Sequence, residues 1–438
     1  MQKPHLSNLQ IINMSLGFLG IQCGFALQNA NASRILQTFG ANVENLSWFW
    51  LAAPITGMII QPIIGHYSDK TWGKLGRRRP FFLAGATLAS LALVLLPNAG
   101  SFANYLPAVL VGAGILMFMD ASFNVSMEPF RALVADNLDE KQNTSGFAIQ
   151  TVLIGVGAYI GSNLPNWLPN IFGTNIASID GQVPDNVKLA FYIGAALFLA
   201  SIIWTVVTTK EYSPEERKAM GFIEDPNAHH GLISIFSDLK NMPATMKQLG
   251  MVQFFSWFGL FSMWVYMTPA IANHIYNVPI NEAHSLEYQN AANSVGPLFG
   301  MYNIVSAVFA LFIPFIASKL GKKLTHAIAL ICGGIGLISI YFIQNPAMLK
   351  FSMIGVGIAW ASILAMPYAL LAKHIPASKM GVYMGIFNFF ITIPQIVSGV
   401  IGGPIVKHLF GSQAIFALLM AGVFMVLAAI SVVRIKED

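Results

Sequence analysis

Long runs of apolar residues, each ended by a few polar ones, set the rhythm of this chain. The runs are roughly 18 to 25 residues long, the length an α-helix needs to cross about 30 Å of hydrocarbon. They fall at 11–30, 47–67, 80–97, 105–127, 146–168, 189–208, 250–276, 295–318, 324–343, 349–372, 381–405 and 412–433. Together they predict an all-α membrane protein with twelve transmembrane helices. The longest polar interruption divides them six and six, so the predicted organisation is a six-helix bundle over 1–208, a cytoplasmic linker over 209–249 and a second six-helix bundle over 250–438. His229 and His230 in that linker read as a solvated pair rather than as metal ligands.

Composition agrees with this layout. With 55% hydrophobic and 10% charged residues and a mean hydropathy of +0.63, the chain has too little polar surface to cover a water-soluble fold of 438 residues. Short cytoplasmic loops collect Lys and Arg. With the N-terminus inside, all 24 basic residues except Arg34, Lys188, Lys350 and Lys407 fall on the cytoplasmic side, which places both termini in the cytoplasm. The net charge of +5 then follows from topology, and no nucleic-acid partner is needed to explain it. Cys23 and Cys332 both lie in predicted helices and read as small core residues, with neither a disulfide framework nor metal-ligand spacing. The first apolar run lacks a small-residue cleavage pattern after it and reads as its own insertion signal. Short loops point to a multi-pass protein of a prokaryotic cytoplasmic (inner) membrane, expected to act as a monomer.

One residue breaks the apolar pattern at a costly place. Asp120 sits inside the fourth span, in Met117-Phe118-Met119-Asp120-Ala121-Ser122-Phe123-Asn124. A charge at that depth costs at least about 2.5 to 3.5 kcal/mol, so intramembrane acids face a protein interior or a watery cavity and mark ion or substrate pathways. At 100° per residue Asp120, Asn124, Glu128 and Arg131 fall within about 80° of arc, one polar stripe expected to face a central cavity. Burial disfavours the charged form of a carboxylic acid, so such a group can hold or release a proton as its access to water changes. Asp120 is the first candidate for proton coupling and Glu128 the second. Buried amides and aromatics supply candidates for binding a solute with apolar ring faces and hydroxyls. The seventh span offers Gln253, Trp257, Phe261, Trp264 and Thr268 on one face, and the eleventh offers Asn388, Thr392 and Gln395. Gln28, Gln61, Asn303 and Trp360 complete the candidate substrate contacts, with Asp120 and Asn124 among them. Asp69, Arg77, Arg131 and Asp136 gather at the predicted inner mouth, where charge pairs can form in one state and break in another, and read as a cytoplasmic gate.

The loops after the second and eighth spans are related: Gly65-His66-Tyr67-Ser68-Asp69-Lys70 with Gly76-Arg77-Arg78-Arg79, and Lys319-Leu320-Gly321-Lys322-Lys323. Such a repeat is what a duplicated transporter fold leaves. The first of these loops resembles the signature loop of the major facilitator superfamily. Its surroundings are more specific: Gly24-Phe25-Ala26-Leu27-Gln28, Pro54 to Asp69, Gly76-Arg77-Arg78-Arg79-Pro80-Phe81, then Asp120, Asn124, Pro129 and Arg131-Ala132-Leu133. These resemble the plant sucrose/proton symporters and their bacterial and animal relatives in the glycoside-pentoside-hexuronide group, closely over about the first 140 residues and in layout beyond. Gln253 to Phe258 and Met263-Trp264 look most like bacterial maltose and sucrose porters of that group. The resemblance implies a major facilitator fold and a coupling role for the acid matched by Asp120. Glu128 departs from it, standing where the plant symporters have a small residue, and puts a one-acid coupling scheme in doubt.

The sequence therefore leads to an expected function: import of an α-glucosidic disaccharide, sucrose or maltose, together with a proton, with the bilayer as the other partner and no cofactor or metal. A sodium-coupled glycoside carrier and a sugar receptor that binds without transport are the rivals. An enzyme is disfavoured, because the sequence offers no nucleophile–base pairing or metal cluster.

Overall fold

The computed structural model describes residues 5–138, 142–179, 181–219, 242–371 and 380–435. Ser7 opens the first helix, α1 (Asn8–Ser15), with a capping box: its hydroxyl accepts from the Gln10 N–H, and Gln10 Oε1 accepts from the Ser7 N–H at 2.8 Å. The helices that follow are α2 (Gly17–Thr38), α3 (Leu46–Trp50), α4 (Ala52–Lys70), α5 (Arg79–Leu95), α6 (Ala108–Asn137), α7 (Asn143–Phe172), α8 (Asp185–Thr208) and the short α9 (Pro214–Ala219). After the linker come α10 (Ala244–Ala270), α11 (Leu286–Leu320), α12 (Lys322–Phe342), α13 (Leu349–Leu371), α14 (Met380–His408) and α15 (Ile415–Val432). Among the described residues there is no β-strand, only a pair of backbone hydrogen bonds between Gly73 and Gly76.

Eleven helical stretches among the described residues have the length and apolarity to cross a bilayer. The remaining expected span, 146–168, lies within α7, a helix of 30 residues that contains no Asp, Glu, Lys or Arg.

Three helices begin or end well away from their apolar windows, one of them the fourth, expected to end at 127, whose helix runs on to Asn137. The first span, expected over 11–30, runs on to Thr38, and the eighth, expected from 295, begins at Leu286 behind an Ser285 N-cap whose hydroxyl accepts from the Tyr288 N–H. Both extensions are rich in amides and hydroxyls, which ended the apolar windows. Those polar side chains are buried and bonded to one another, so the backbone stays helical through them.

Contacts group the chain into two compact units, one of Met1–Gln28, Ile55–Asn175 and Asp185–His229, the other of Asn29–Pro54, Ile176–Pro184 and His230–Asp438. In the first, α5 packs on α6 and α8; in the second, α12 packs on α13 and α15, α10 on α15, and α11 on α13. Lipid offers little hydrophobic drive between helices, so close approach depends on small residues at the crossings. A Cβ at Gly85 of α5 would lie 2.5 Å from the Ser126 backbone nitrogen of α6. One at Gly161 of α7 would run into the Cys23 carbonyl oxygen of α2, and one at Gly355 of α13 into that of Cys332 on α12. Val207, Leu311, Phe315 and Ile335 stand exposed, as residues facing acyl chains do.

Gly85→Val and Gly161→Val are expected to destabilise the protein by about 1 to 3 kcal/mol through overpacking. Gly114→Ala, where nothing lies within 4 Å of the new Cβ, is expected to leave stability unchanged. Thermal unfolding in detergent, followed by tryptophan fluorescence, checks all three.

Candidate functional site

In the first unit a polar cluster is assembled from α2, α4 and α6, three helices otherwise dominated by apolar residues. Gln28 Nε2 donates to Asp120 Oδ1 at 2.6 Å, and both residues are buried. One turn along α6, Asn124 Nδ2 donates to the Asp120 backbone carbonyl at 2.9 Å, while Asn124 Oδ1 accepts from Gln61 Nε2 at 2.6 Å. The i, i+4 spacing on one helix face brings Asp120 and Asn124 together, and each takes an amide from a different neighbouring helix. Four sequence candidates thus converge. Asp120 Oδ2 and Gln28 Oε1 are buried without a partner among the described residues. An ionised carboxylate in such surroundings is balanced only in part by one neutral donor, and uptake of a proton removes the charge.

In the second unit three candidates on two helices meet as an aromatic cluster. Trp257 and Trp264 of α10 lie 6.4 Å apart between ring centroids, and Trp360 of α13 is 5.7 Å from the first and 5.8 Å from the second, all edge-on. Edge-to-face contact is a favoured arrangement of aromatic quadrupoles. Trp264 Nε1 donates to the Tyr302 hydroxyl of α11 at 3.4 Å, and the neighbouring Asn303 donates to the Phe299 carbonyl at 2.9 Å. Trp257 Nε1 and both amide atoms of Gln253 are buried without a partner among the described residues. On α14, Thr392 bonds the Asn388 carbonyl at 3.2 Å, and Asn388 and Gln395 are half-buried. Tyr302 was not among the sequence candidates: a tyrosine in an apolar window carries no signal until its hydroxyl is seen to hold an indole.

The sequence matches the family described as Major Facilitator Superfamily over residues 14–399, and again over 287–437. The chain belongs to the Major Facilitator Superfamily. Within it, the chain is 27% identical over 426 residues to the sucrose transport protein SUC4 of Arabidopsis thaliana, covering 88% of this chain and 82% of that protein. It is 25% identical over 473 residues to the sucrose transport protein SUT3 of Oryza sativa subsp. japonica, covering 97% and 92%. Among solved structures it resembles the nucleoside transporter NupG, with a TM-score of 0.69 at 15% identity over 99% of this chain and 100% of that one. A bacterial homologue of the human lysosomal transporter Spinster, inward-facing and unoccupied, gives a TM-score of 0.62 at 14% identity, covering 98% of each chain. At these identities the structural likeness concerns the fold.

The superfamily loop between α4 and α5 is held by a residue that sequence reading left in the polar linker. Glu211 accepts the backbone N–H groups of Arg77 at 2.9 Å, Arg78 at 3.0 Å and Arg79 at 2.9 Å, and its carboxylate lies 3.4 Å from Arg79 Nε. These N–H groups are the orphan donors at the start of α5, so a carboxylate there both satisfies them and meets the positive end of the helix dipole. Arg79 Nη1 in turn donates to the Val206 and Thr209 carbonyls at the end of α8, each at 2.9 Å. Gly76 makes the turn possible: its φ of +97° suits glycine, and a Cβ there would press on Glu211. Beyond Glu211, Ser213 and Glu216 form a second capping box at the start of α9. The Glu216 carboxyl is held below its usual range, chiefly by the Ser213 backbone N–H and next by Lys210. Of the expected gate, Arg77 is described; the side chains of Asp69, Arg131 and Asp136, and that of Glu128, lie outside the described residues.

Glu211→Ala is expected to release three helix-start donors, costing about 1 to 3 kcal/mol, and to speed limited tryptic cleavage in the Lys74–Arg79 segment severalfold. Comparing digestion time courses of the two proteins in detergent decides it.

Proposed function

We propose that this protein is a proton-coupled symporter that takes up an α-glucosidic disaccharide, sucrose or maltose, by alternating access. The observation that carries the reading is the Gln28–Asp120 pair, a buried carboxylate held by one neutral donor with its second oxygen unpartnered among the described residues. Relatives named as sucrose transport proteins, matched over most of their length, supply the substrate class. Within the second unit the edge-on tryptophans 257, 264 and 360 suit the apolar faces of a sugar ring, and within the first, taken by itself, the Gln61–Asn124 pair has amides of the kind that bond hydroxyls.

In this reading Asp120 takes a proton on the outer side, which cancels the cost of its charge and gives it an O–H to donate. Sugar binding completes the partners of Asp120 and Asn124, and release of the proton inside restores the carboxylate. One proton moving through roughly 150 mV supplies about 3.5 kcal/mol, enough for a gradient of a few hundredfold in a neutral sugar.

Uptake of labelled sucrose and maltose into proteoliposomes tests it, with an imposed inward proton gradient, a sodium gradient or neither. Accumulation is expected with the proton gradient alone. Asp120→Asn is expected to abolish accumulation while sugar counterflow continues, because the neutral side chain still donates to and accepts from hydroxyls. Accumulation driven by sodium would assign the protein to the sodium-coupled carriers, and binding without flux under all conditions would make it a receptor. Trp360→Ala is expected to raise the KM for sugar about tenfold, equivalent to about 1.4 kcal/mol of lost stacking, with proton dependence intact.

A further inference from the structure

Arg34 carries a charge that neither the coupling site nor the tryptophan cluster uses. Its side chain is completely buried near the Thr38 end of α2. Nε donates to Gln289 Oε1 at 2.7 Å, Nη2 to the Gln289 carbonyl at 3.2 Å and Nη1 to Asn293 Oδ1 at 3.3 Å, all on the first turns of α11. The contact is reinforced on both sides. Tyr288 Oη donates to Gln37 Oε1 at 2.6 Å, and Gln289 Nε2 donates to Thr38 Oγ1 at 3.2 Å and to the Ala283 carbonyl at 2.8 Å. Every acceptor on the guanidinium is neutral, and among the described residues no carboxylate lies within ion-pair distance of it.

That combination has a physical meaning. A guanidinium is ionised at any physiological pH. Withdrawn from water, it keeps its hydrogen bonds here but gains no counter-charge to offset desolvation. Closure of α2 on α11 is thus held by hydrogen bonds and opposed by the lost hydration of one cation. The polar part of this contact, made of amides, hydroxyls and a cation, can be exchanged for water group by group, which an apolar crossing cannot. Charge counting along the loops puts the Thr38 end of α2 and the Leu286 end of α11 on the non-cytoplasmic side.

The geometry points to Arg34 as the positioning residue of a reversible non-cytoplasmic closure. It docks on Gln289 and Asn293 when α2 meets the start of α11, and it returns to water when they part. Neutral partners keep the closure from becoming a permanent brace. The assignment does not depend on which solute or ion is carried.

The test is access to a thiol one turn below Arg34 on the same face. Ala30→Cys is introduced into the full-length protein carrying Cys23→Ser and Cys332→Ser. A membrane-impermeant maleimide is then applied from the non-cytoplasmic side of oriented membranes. The background protein is expected to label at a measurable rate. Asn293→Asp keeps the acceptor that meets Arg34 Nη1 and gives the guanidinium a counter-charge, and it is expected to slow labelling about tenfold or more and to raise the thermal midpoint. Arg34→Gln is expected to speed labelling. Equal labelling in the background and in Asn293→Asp, or no labelling of the background at all, overturns the proposal. Because Asn293→Asp is expected to stabilise, the decisive comparison survives if Arg34→Gln fails to fold. Failure of sugar uptake with this labelling pattern intact would count against the proposed function alone.

Discussion

A polar group inside a bilayer must find its partner in protein, because lipid offers none. Most of the polar side chains carried by these helices answer to that constraint locally. Ser126 donates to the Phe82 carbonyl at 3.1 Å, Ser90 to the Ala195 carbonyl at 3.1 Å, and His326 pairs with Ser362 at 2.8 Å, each joining two helices. Against that background the buried atoms left over gain meaning. Asp120 Oδ2, Gln28 Oε1, the Gln253 amide and the Trp257 indole N–H are buried without partners among the described residues. They fall in the two clusters where sequence placed coupling and solute contact. A buried polar atom without a partner costs about 1 to 3 kcal/mol, a cost that a solute bearing hydroxyls is suited to repay.

The helix α2 shows how closely these demands are interleaved. Gln28 serves Asp120, and Arg34 serves Gln289 and Asn293. The two residues are six apart, about 9 Å of helix rise. Ser33, between them in sequence, donates to the Val265 carbonyl at 2.8 Å and accepts from Trp50 Nε1 at 3.0 Å. A rigid helix with bonded polar groups at successive levels cannot rotate or slide without disturbing several of them at once, which is the condition for discrete states rather than continuous drift.

The apolar windows located every span to within a few residues except where polar residues continue a helix. That failure has a cause. Hydropathy treats Asn29, Asn31, Arg34 and Gln37 as an exit from the membrane, whereas the backbone responds to whether those side chains find partners. The Asp120–Asn124 face was legible because two polar residues four apart in an apolar run admit few readings, and Gln28 and Gln61 followed from the resemblance. The Glu211 cap was not legible: a glutamate among Lys210, Tyr212, Ser213 and Pro214 looks like any linker acid, and its role rests on loop geometry more than 130 residues away in sequence. Tyr302 and the Arg34 contact failed for the same reason, since both depend on partners from other helices.

The inventories of the two units differ in kind. The first holds a carboxylate with amides around it; the second holds three tryptophans with a tyrosine hydroxyl and amides at their edges. Charge and ring stacking answer to different physics: the first varies with proton supply and membrane potential, the second with apolar area and shape. Under the symport reading, the proton's driving force resides in the first set and the stacking part of sugar affinity in the second, while hydroxyl contacts draw on the first as well. A carrier built this way can be retuned for a different ring without losing its coupling.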